Sequence, residues 1–351
     1  MRSVLELARP EIRNLQAYEH AAWEPSLERL HANESPWRTI GDDSQAGLNR
    51  YPEPQPRALI ERLAAVYDVP VQRVLVGRGS DEAIDLLTRA FCRAGVDEVV
   101  ICPPTFGMYA VAACIQGAGV VAVPLRRDHD YAVNVDAVIA AVSPRSRLIY
   151  LCSPNNPTGN SLPREAILRI AAAASGRALV VVDEAYLEFA GTQSIASHID
   201  ALPHLAVLRT LSKAHGLAGA RIGALLAHDD VVTMLRAVIP PYALPQLAIE
   251  AGLRSLAPAR IAIQRERVAL LRAERGRLAA ALAARADVRR VWPSDANFLL
   301  VEFEDVNEAV RRTRAAGLLV RDVRSVAGLE HALRITVGSP EQNDRLIGCL
   351  A

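Results

Sequence analysis

Lysine is nearly missing from this chain. Of its 40 lysines and arginines, 39 are arginine and one, Lys213, is lysine. An excess of either charge sign is missing too. The formal net charge is +1 over 351 residues, so no general attraction to nucleic acid or an anionic membrane follows. The arginine-dense stretch from Arg260 to Arg290 is interleaved with Glu266 and Glu274 and reads as the solvated face of an amphipathic helix. Cysteines number five and form no CxxC pair. Cys92, Cys102, Cys114, Cys152 and Cys349 therefore read as reduced thiols suited to the cytosol, not as disulfides or zinc ligands. The histidines show no metal-ligand spacing. No run of about 18 apolar residues occurs, so no membrane span is expected. The opening "MRSVLELARPEIRNLQ" carries charge where a secretory signal needs an apolar core. No internal repeat or low-complexity tract is visible.

What is present reads as a globular α/β protein. Apolar residues make up 51% and charged residues 23%, which excludes a disordered chain. The length exceeds one average core, so two subdomains are expected. Apolar runs alternate with helical patterns: "RVLVG" (73–77), "DEVVICPP" (97–104), "RLIYLCSP" (147–154), "ALVVVDEAY" (178–186), "LAVLRTLS" (205–212) and "RIGALLAH" (221–228). Such runs predict buried strands of a mostly parallel sheet flanked by helices. The proline-punctuated "IPPYALPQ" (239–246) reads as a domain junction. Beyond it, helical patterns and the runs "NFLLVEF" and "ALRITVG" predict a smaller α/β domain. The expected division is residues 1–45 as an N-terminal arm and part of the small domain, 46–243 as the large domain, and 244–351 as the C-terminal small domain.

In parallel sheets ligands sit beyond the carboxyl ends of the strands, so the polar residues just after each run matter most. Asp183 ends a wholly apolar strand. A carboxylate there needs a cationic partner, either an arginine or the protonated nitrogen of a cofactor ring. Tyr186 lies three residues on, where it packs or reaches the same ligand. Asn156 stands in the tight loop "SPNNPTGN" (153–160), whose composition suffices for a turn but also presents an amide at the sheet edge. "VGRGSDEA" (76–83) is a strand, a glycine turn and a helix start. Ser80 and Asp81 there cap the helix or sit where its free N–H groups meet a phosphate. Ser212 and Arg221 suit the same phosphate. Lys213 differs from every arginine in one respect: desolvated, it can lose its proton and attack a carbonyl.

Asn156, Asp183, Tyr186, Ser212–Lys213 and Arg221 follow one another with 27 residues from Asn to Asp and 30 from Asp to Lys. In this order they resemble the fold-type I pyridoxal-phosphate enzymes, aminotransferase class I/II. "RYPEPQP" (50–56), "PPTFGMY" (103–109), "CSPNNPTG" (152–159), "VVDEAYLEF" (181–189), "RTLSKAHGLAGARIG" (209–223) and "LRITVG" (333–338) together resemble the histidinol-phosphate aminotransferase family. The likeness runs from "IRNLQAY" near the start to "GSPEQNDRLI" near the end.

The resemblance implies a role for each position. Lys213 forms the Schiff base with pyridoxal 5′-phosphate and then acts as general base. Asp183 keeps the pyridine nitrogen protonated. Asn156 and Tyr186 hydrogen-bond the ring's phenolic oxygen. Ser80, Asp81, Ser212 and Arg221 surround the phosphate, and Phe106 stacks on the ring. Tyr51 reaches the cofactor phosphate of a neighbouring subunit, which implies a homodimer with shared active sites. Arg334 binds a substrate carboxylate. Tyr18, Asn33, Tyr109, Tyr242 and Arg321 complete the substrate pocket, with Arg321 and Arg334 holding the anionic end of either substrate. His215 stands where an aromatic residue is expected and reads as a packing variant. No metal is implied. The implied reaction is transamination from L-histidinol phosphate to 2-oxoglutarate in histidine biosynthesis. Alternatives are an aromatic amino acid donor and decarboxylation of threonine phosphate on the same fold. A sensor domain of a transcription regulator would need a DNA-binding module, for which no room is expected before residue 18.

Overall fold

A computed structural model describes residues 3–24 and 27–350. Seven strands form the main sheet: β1 (Val74–Gly77), β2 (Glu98–Ile101), β3 (Gly119–Ala122), β4 (Ser146–Cys152), β5 (Leu179–Asp183), β6 (Leu205–Thr210) and β7 (Gly223–Leu226). Their spatial order is β1-β7-β6-β5-β4-β2-β3. Only β7 opposes its neighbours, pairing antiparallel with both β1 and β6. The other pairings are parallel, as the alternating runs predict.

The apolar runs are continuous because helices cover both faces of the sheet. Side chains alternate across it. Val180 and Val182 pack into one core with Leu63, Ile170 and Val207. Leu179 and Val181 point the other way, into a core with Ile84, Leu87, Phe91 and Leu208. Each fully buried aliphatic side chain contributes roughly 1.5–3 kcal/mol. Val4, Leu7 and Ala8 join this second core beside Val231 and Leu235, so the chain's first described turn packs on the large sheet.

A second, wholly antiparallel sheet has the order β10-β11-β9-β8. Its strands are β8 (Val288–Val291), β9 (Phe298–Phe303), β10 (Arg321–Asp322) and β11 (Ala332–Thr336). Its core holds Leu278 and Leu282 of the long helix Pro258–Ala283, with Leu299, Val301, Leu333, Ile335 and Leu346. Among the described residues no helix is long and apolar enough to cross a membrane.

Two joints fasten the sheets together. Arg127, beyond β3, donates to both carboxylate oxygens of Glu302 on β9 at 2.8 and 3.0 Å, and Trp292 Nε1 donates to Glu302 at 3.0 Å. Nearer the sheet edge, the Asp295 N–H donates to the Gly159 carbonyl at 2.7 Å. A Cβ on Gly159 would stand 2.5 Å from Ser294 Oγ, so the loop bearing Asn156 lies flush against the second sheet.

Candidate active site

Strand register brings the carboxyl ends together. Asp183 pairs with Cys152 of β4 on one side and Leu208 of β6 on the other. The Asn156 loop, the Asp183–Tyr186 turn and the Ser212–Lys213 loop therefore leave the sheet at one level. They open onto a cleft of about 620 Å³. Its floor includes Asp183, Tyr186 and Lys213, one side carries Ser80, Asp81, Ser212 and Arg221, and the other carries Phe106, Asn156, Arg321 and Arg334.

Asp183 is 3% exposed. Its Oδ2 accepts the Tyr109 hydroxyl at 2.8 Å and its Oδ1 the Ala185 N–H at 3.1 Å. Neither donor is a cation. Glu82, Asp97, Glu98, Glu184, Glu250, Glu274 and Glu302 are also buried, and each meets an arginine. Among the described residues, Asp183 is the buried carboxylate left without a positive partner. Burial pushes its carboxyl up to about 6, against the pull of Tyr109 and the Ala185 N–H. A carboxylate so placed is made for a cation that enters the cleft.

Lys213 faces this carboxylate across the cleft. Its Nζ lies 5.5 Å from the centre of the Tyr186 ring. The side chain opens to solvent through the cleft, yet protein surrounds enough of it that desolvation lowers its pKa, with Arg334 adding to the effect. A lowered pKa favours the neutral, nucleophilic amine. His215, two residues on, keeps a buried and unpartnered Nδ1, and burial lowers its pKa.

A cup lies at the start of the helix Ser80–Phe91. Gly79 enters it at φ +83°, and a Cβ there would meet Arg221 Nη2 at 2.5 Å. Arg221 donates to Ser212 Oγ at 3.4 Å and to Asp81 at 3.1 Å. Thr210 fixes Ser212 in turn: its Oγ1 donates to Ser212 Oγ at 2.9 Å and accepts the Ser212 N–H at 3.1 Å. A helix N-terminus, a hydroxyl and a guanidinium at one point form an anion site.

Arginine lines the opposite wall. Arg321 and Arg334 are direct partners on β10 and β11. Arg334 donates to Asn156 Oδ1 and lies 5.3 Å from the Phe298 ring centre. Burial lowers its pKa, and Arg321 contributes. Phe298 meets Tyr186 edge-on at 5.2 Å, and burial raises the Tyr186 hydroxyl. Neither Arg321 nor Arg334 has a carboxylate partner among the described residues.

Five residues expected in the substrate pocket or at the cofactor lie elsewhere in the single chain. Tyr109 is a correction. Its ring is fully buried behind Asp183, stacked on Tyr150 at 4.7 Å, because the helix Met108–Gln116 turns that position into the core. Tyr18 is 72% exposed and borders a separate hollow of about 310 Å³ with Trp23, Gln55 and Arg236. Asn33 is exposed on the arm. Tyr51 stacks on Tyr242 at 4.6 Å, and neither lines the cleft. Sequence reasoning also passed over Asn155. Buried, it donates to the Pro104 carbonyl at 2.8 Å and to Thr158 Oγ1 at 2.6 Å, which fixes the loop that presents Asn156. Its signal was the doubled asparagine of "SPNNPTGN", read only for its second member.

The sequence model of the family "Aminotransferase class I and II" matches residues 25–350. The chain belongs to that family. As an aminotransferase it is 48% identical, over 99% of its length and 96% of the relative's, to "Histidinol-phosphate aminotransferase" of Xylella fastidiosa (strain 9a5c). A protein of the same name from Stenotrophomonas maltophilia (strain R551-3) is also 48% identical, with the same two coverages. Among solved structures, histidinol-phosphate aminotransferase from Sinorhizobium meliloti in complex with pyridoxal-5′-phosphate superposes with a TM-score of 0.77 at 25% identity. It covers 86% of this chain and 82% of that one. L-threonine-O-3-phosphate decarboxylase from Porphyromonas gingivalis gives a TM-score of 0.74 at 27% identity, covering 86% and 90%. The aminotransferase cleft fits a pyridoxal cofactor by its donor set: an unpaired buried carboxylate, an amine opposite it, and an anion cup beside them.

Proposed function

We propose that this aminotransferase transfers the amino group of L-histidinol phosphate to 2-oxoglutarate, giving imidazole-acetol phosphate and L-glutamate, with pyridoxal 5′-phosphate as cofactor. The observation that carries the reading is the pair Arg321 and Arg334 on adjacent strands beside the cleft, without a carboxylate partner among the described residues. Histidinol phosphate and glutamate have different bodies but each brings an anion, and paired guanidiniums bind both kinds. The near-full-length relatives of that name support the same substrate.

In this reading Ser80, Asp81, Ser212 and Arg221 hold the cofactor phosphate. Asp81 contributes through its backbone, since its carboxylate would repel the anion. Asp183 keeps a proton on the ring nitrogen. Asn156 and Tyr186 orient the ring through its phenolic oxygen, and Phe106 covers one face. When bound, the cofactor supplies an aldehyde for the substrate amine and a ring that accepts the electrons of a broken C–H bond. Lys213 Nζ would hold the cofactor, and as a free amine it would move the proton from the substrate Cα. The expected domain division at residues 45 and 243 belongs to this proposal, as does a cytosolic homodimer. In that dimer Tyr51, Tyr18, Asn33 and Tyr242 serve a cleft formed with the second copy.

The test compares single half-reactions of the holoenzyme with histidinol phosphate, phenylalanine and threonine phosphate, followed by cofactor absorbance. Rapid conversion by histidinol phosphate alone is expected. Conversion by phenylalanine alone reassigns the donor, and release of carbon dioxide from threonine phosphate reassigns the reaction.

A further inference from the structure

We propose that Tyr109 is a positioning residue for this reaction, its hydroxyl holding the Asp183 carboxylate turned toward the cleft and ready for a cationic ring nitrogen. The inference rests on the cofactor reading above.

Packing alone does not call for a tyrosine. The ring of Tyr109 lies parallel to Tyr150, 4.7 Å away with 4° between planes, and meets Phe106 edge-on at 5.6 Å. A phenylalanine would make both contacts. The hydroxyl is the costly part, because a buried O–H without a partner loses its water for nothing. It donates to Asp183 Oδ2 at 2.8 Å.

Asp183 lines the cleft while both its oxygens are held from the protein side, Oδ1 by the Ala185 N–H and Oδ2 by Tyr109. Two hydrogen bonds, one to each oxygen, restrain rotation of the carboxyl plane. Tyr109 is itself fixed from behind: the Tyr150 hydroxyl lies 3.0 Å from Thr88 Oγ1 and 3.3 Å from the Ile84 carbonyl. A rigid chain thus runs from the helix Ser80–Phe91 through Tyr150 and Tyr109 to Asp183. The same helix opens the phosphate cup, so one element sets both ends of the cofactor. The charged and titratable groups around Asp183 are Tyr109 and Cys152 at its flank, Asp81 and Glu184 as like charges, and Lys213 across the cleft. Of these, Tyr109 is the one whose side chain donates a hydrogen bond to Asp183.

The test needs no turnover. Apoprotein is titrated with pyridoxal 5′-phosphate and with 4′-deoxypyridoxine 5′-phosphate, which lacks the aldehyde and so reports the ring and phosphate contacts alone. Affinity for the deoxy compound is measured from pH 5 to 9 in wild type, Tyr109→Phe, Asp183→Asn and the double variant. Losing a hydrogen bond to a charged acceptor should weaken binding about tenfold in Tyr109→Phe. The hydrogen bond stabilises the carboxylate, so its loss should move the acid limb of binding up by about one pH unit. In the Asp183→Asn background Tyr109→Phe should change nothing further. Unchanged affinity and acid limb in a folded Tyr109→Phe protein overturn the proposal. In the wild-type fold, the Tyr109 Cζ resonance of ¹³C-tyrosine protein should titrate with the acid limb and lose that titration in Asp183→Asn; a flat resonance also overturns it. Failure of wild-type apoprotein to bind either compound would instead remove the cofactor reading.

Discussion

Gly223 of β7 rests directly on Gly79: a Cβ on Gly223 would stand 2.3 Å from the Gly79 carbonyl carbon and 2.5 Å from Ser80 N. Both neighbours are backbone, which cannot swing aside. This contact sets the height of the phosphate cup against β7, the strand that follows Arg221. Gly223→Ala should push the turn away, cost about 1–3 kcal/mol of stability and weaken cofactor binding at least tenfold. Gly276, inside the long helix with nothing within 4 Å of its Cβ position, is the control. Gly276→Ala should stabilise by about 0.5–1 kcal/mol and leave binding alone. Urea unfolding and cofactor titration read both, and unaltered binding in Gly223→Ala would refute the contact's role.

Replacing Lys213 by arginine keeps the charge and removes the chemistry. Lys213→Arg should lose all measurable turnover while unfolding in urea like the wild type, since the side chain opens to solvent through the cleft, which leaves room for a guanidinium. Retained transamination in that variant would remove Lys213 from the mechanism.

Asp183 makes a signed prediction about pH. Burial raises its folded-state pKa from the ordinary 3.8 to about 6. Stability from this group is therefore present below about pH 4 and is lost as pH rises through 6, because the buried carboxylate must ionise. The loss is on the order of 3 kcal/mol by pH 8. Apoprotein carrying Asp183→Asn avoids it. The variant's stability relative to wild type should improve between pH 4 and pH 8, read by urea unfolding at both. A difference that stays constant across this range would show that Asp183 does not carry the penalty.

Arg334 and Arg321 should separate in kinetics. Arg334→Gln removes a partly buried guanidinium, and hydrogen bonds to charged groups are worth about 1.5–3 kcal/mol. The value of kcat/KM should fall by about ten- to a hundredfold for both histidinol phosphate and glutamate. Arg334→Lys should recover little, because an ammonium cannot grip an anion with two prongs. Arg321→Gln should fall less, since that side chain is exposed. Equal and small losses in all three variants would put the anion site elsewhere.

The central strands were legible because burial on both faces demands unbroken apolar runs, as in "ALVVVDEAY". Strands β3, β8 and β10 were not. They are short, with mostly exposed or half-buried residues, so packing left little mark on their composition. Site positions just past the strands were readable for a geometric reason: strand ends fix them. Tyr109 was harder. Its place in "PPTFGMY" marks it as important, but sequence does not say which way the first turn of a helix faces. The signal lay in its spacing to Ala112 and Ala113 on the same buried stripe. For Tyr18, Asn33, Tyr51 and Tyr242 the difficulty is that a chain does not record whose cleft a residue serves.

The solitary lysine of the cleft also gives the molecule a built-in reporter. Endoproteinase Lys-C has one peptide bond to cut, between residues 213 and 214, and it requires an unmodified ammonium there. Digestion into two pieces, or failure to digest after borohydride treatment, would read the state of that single nitrogen on a gel, without substrate and without a spectrum.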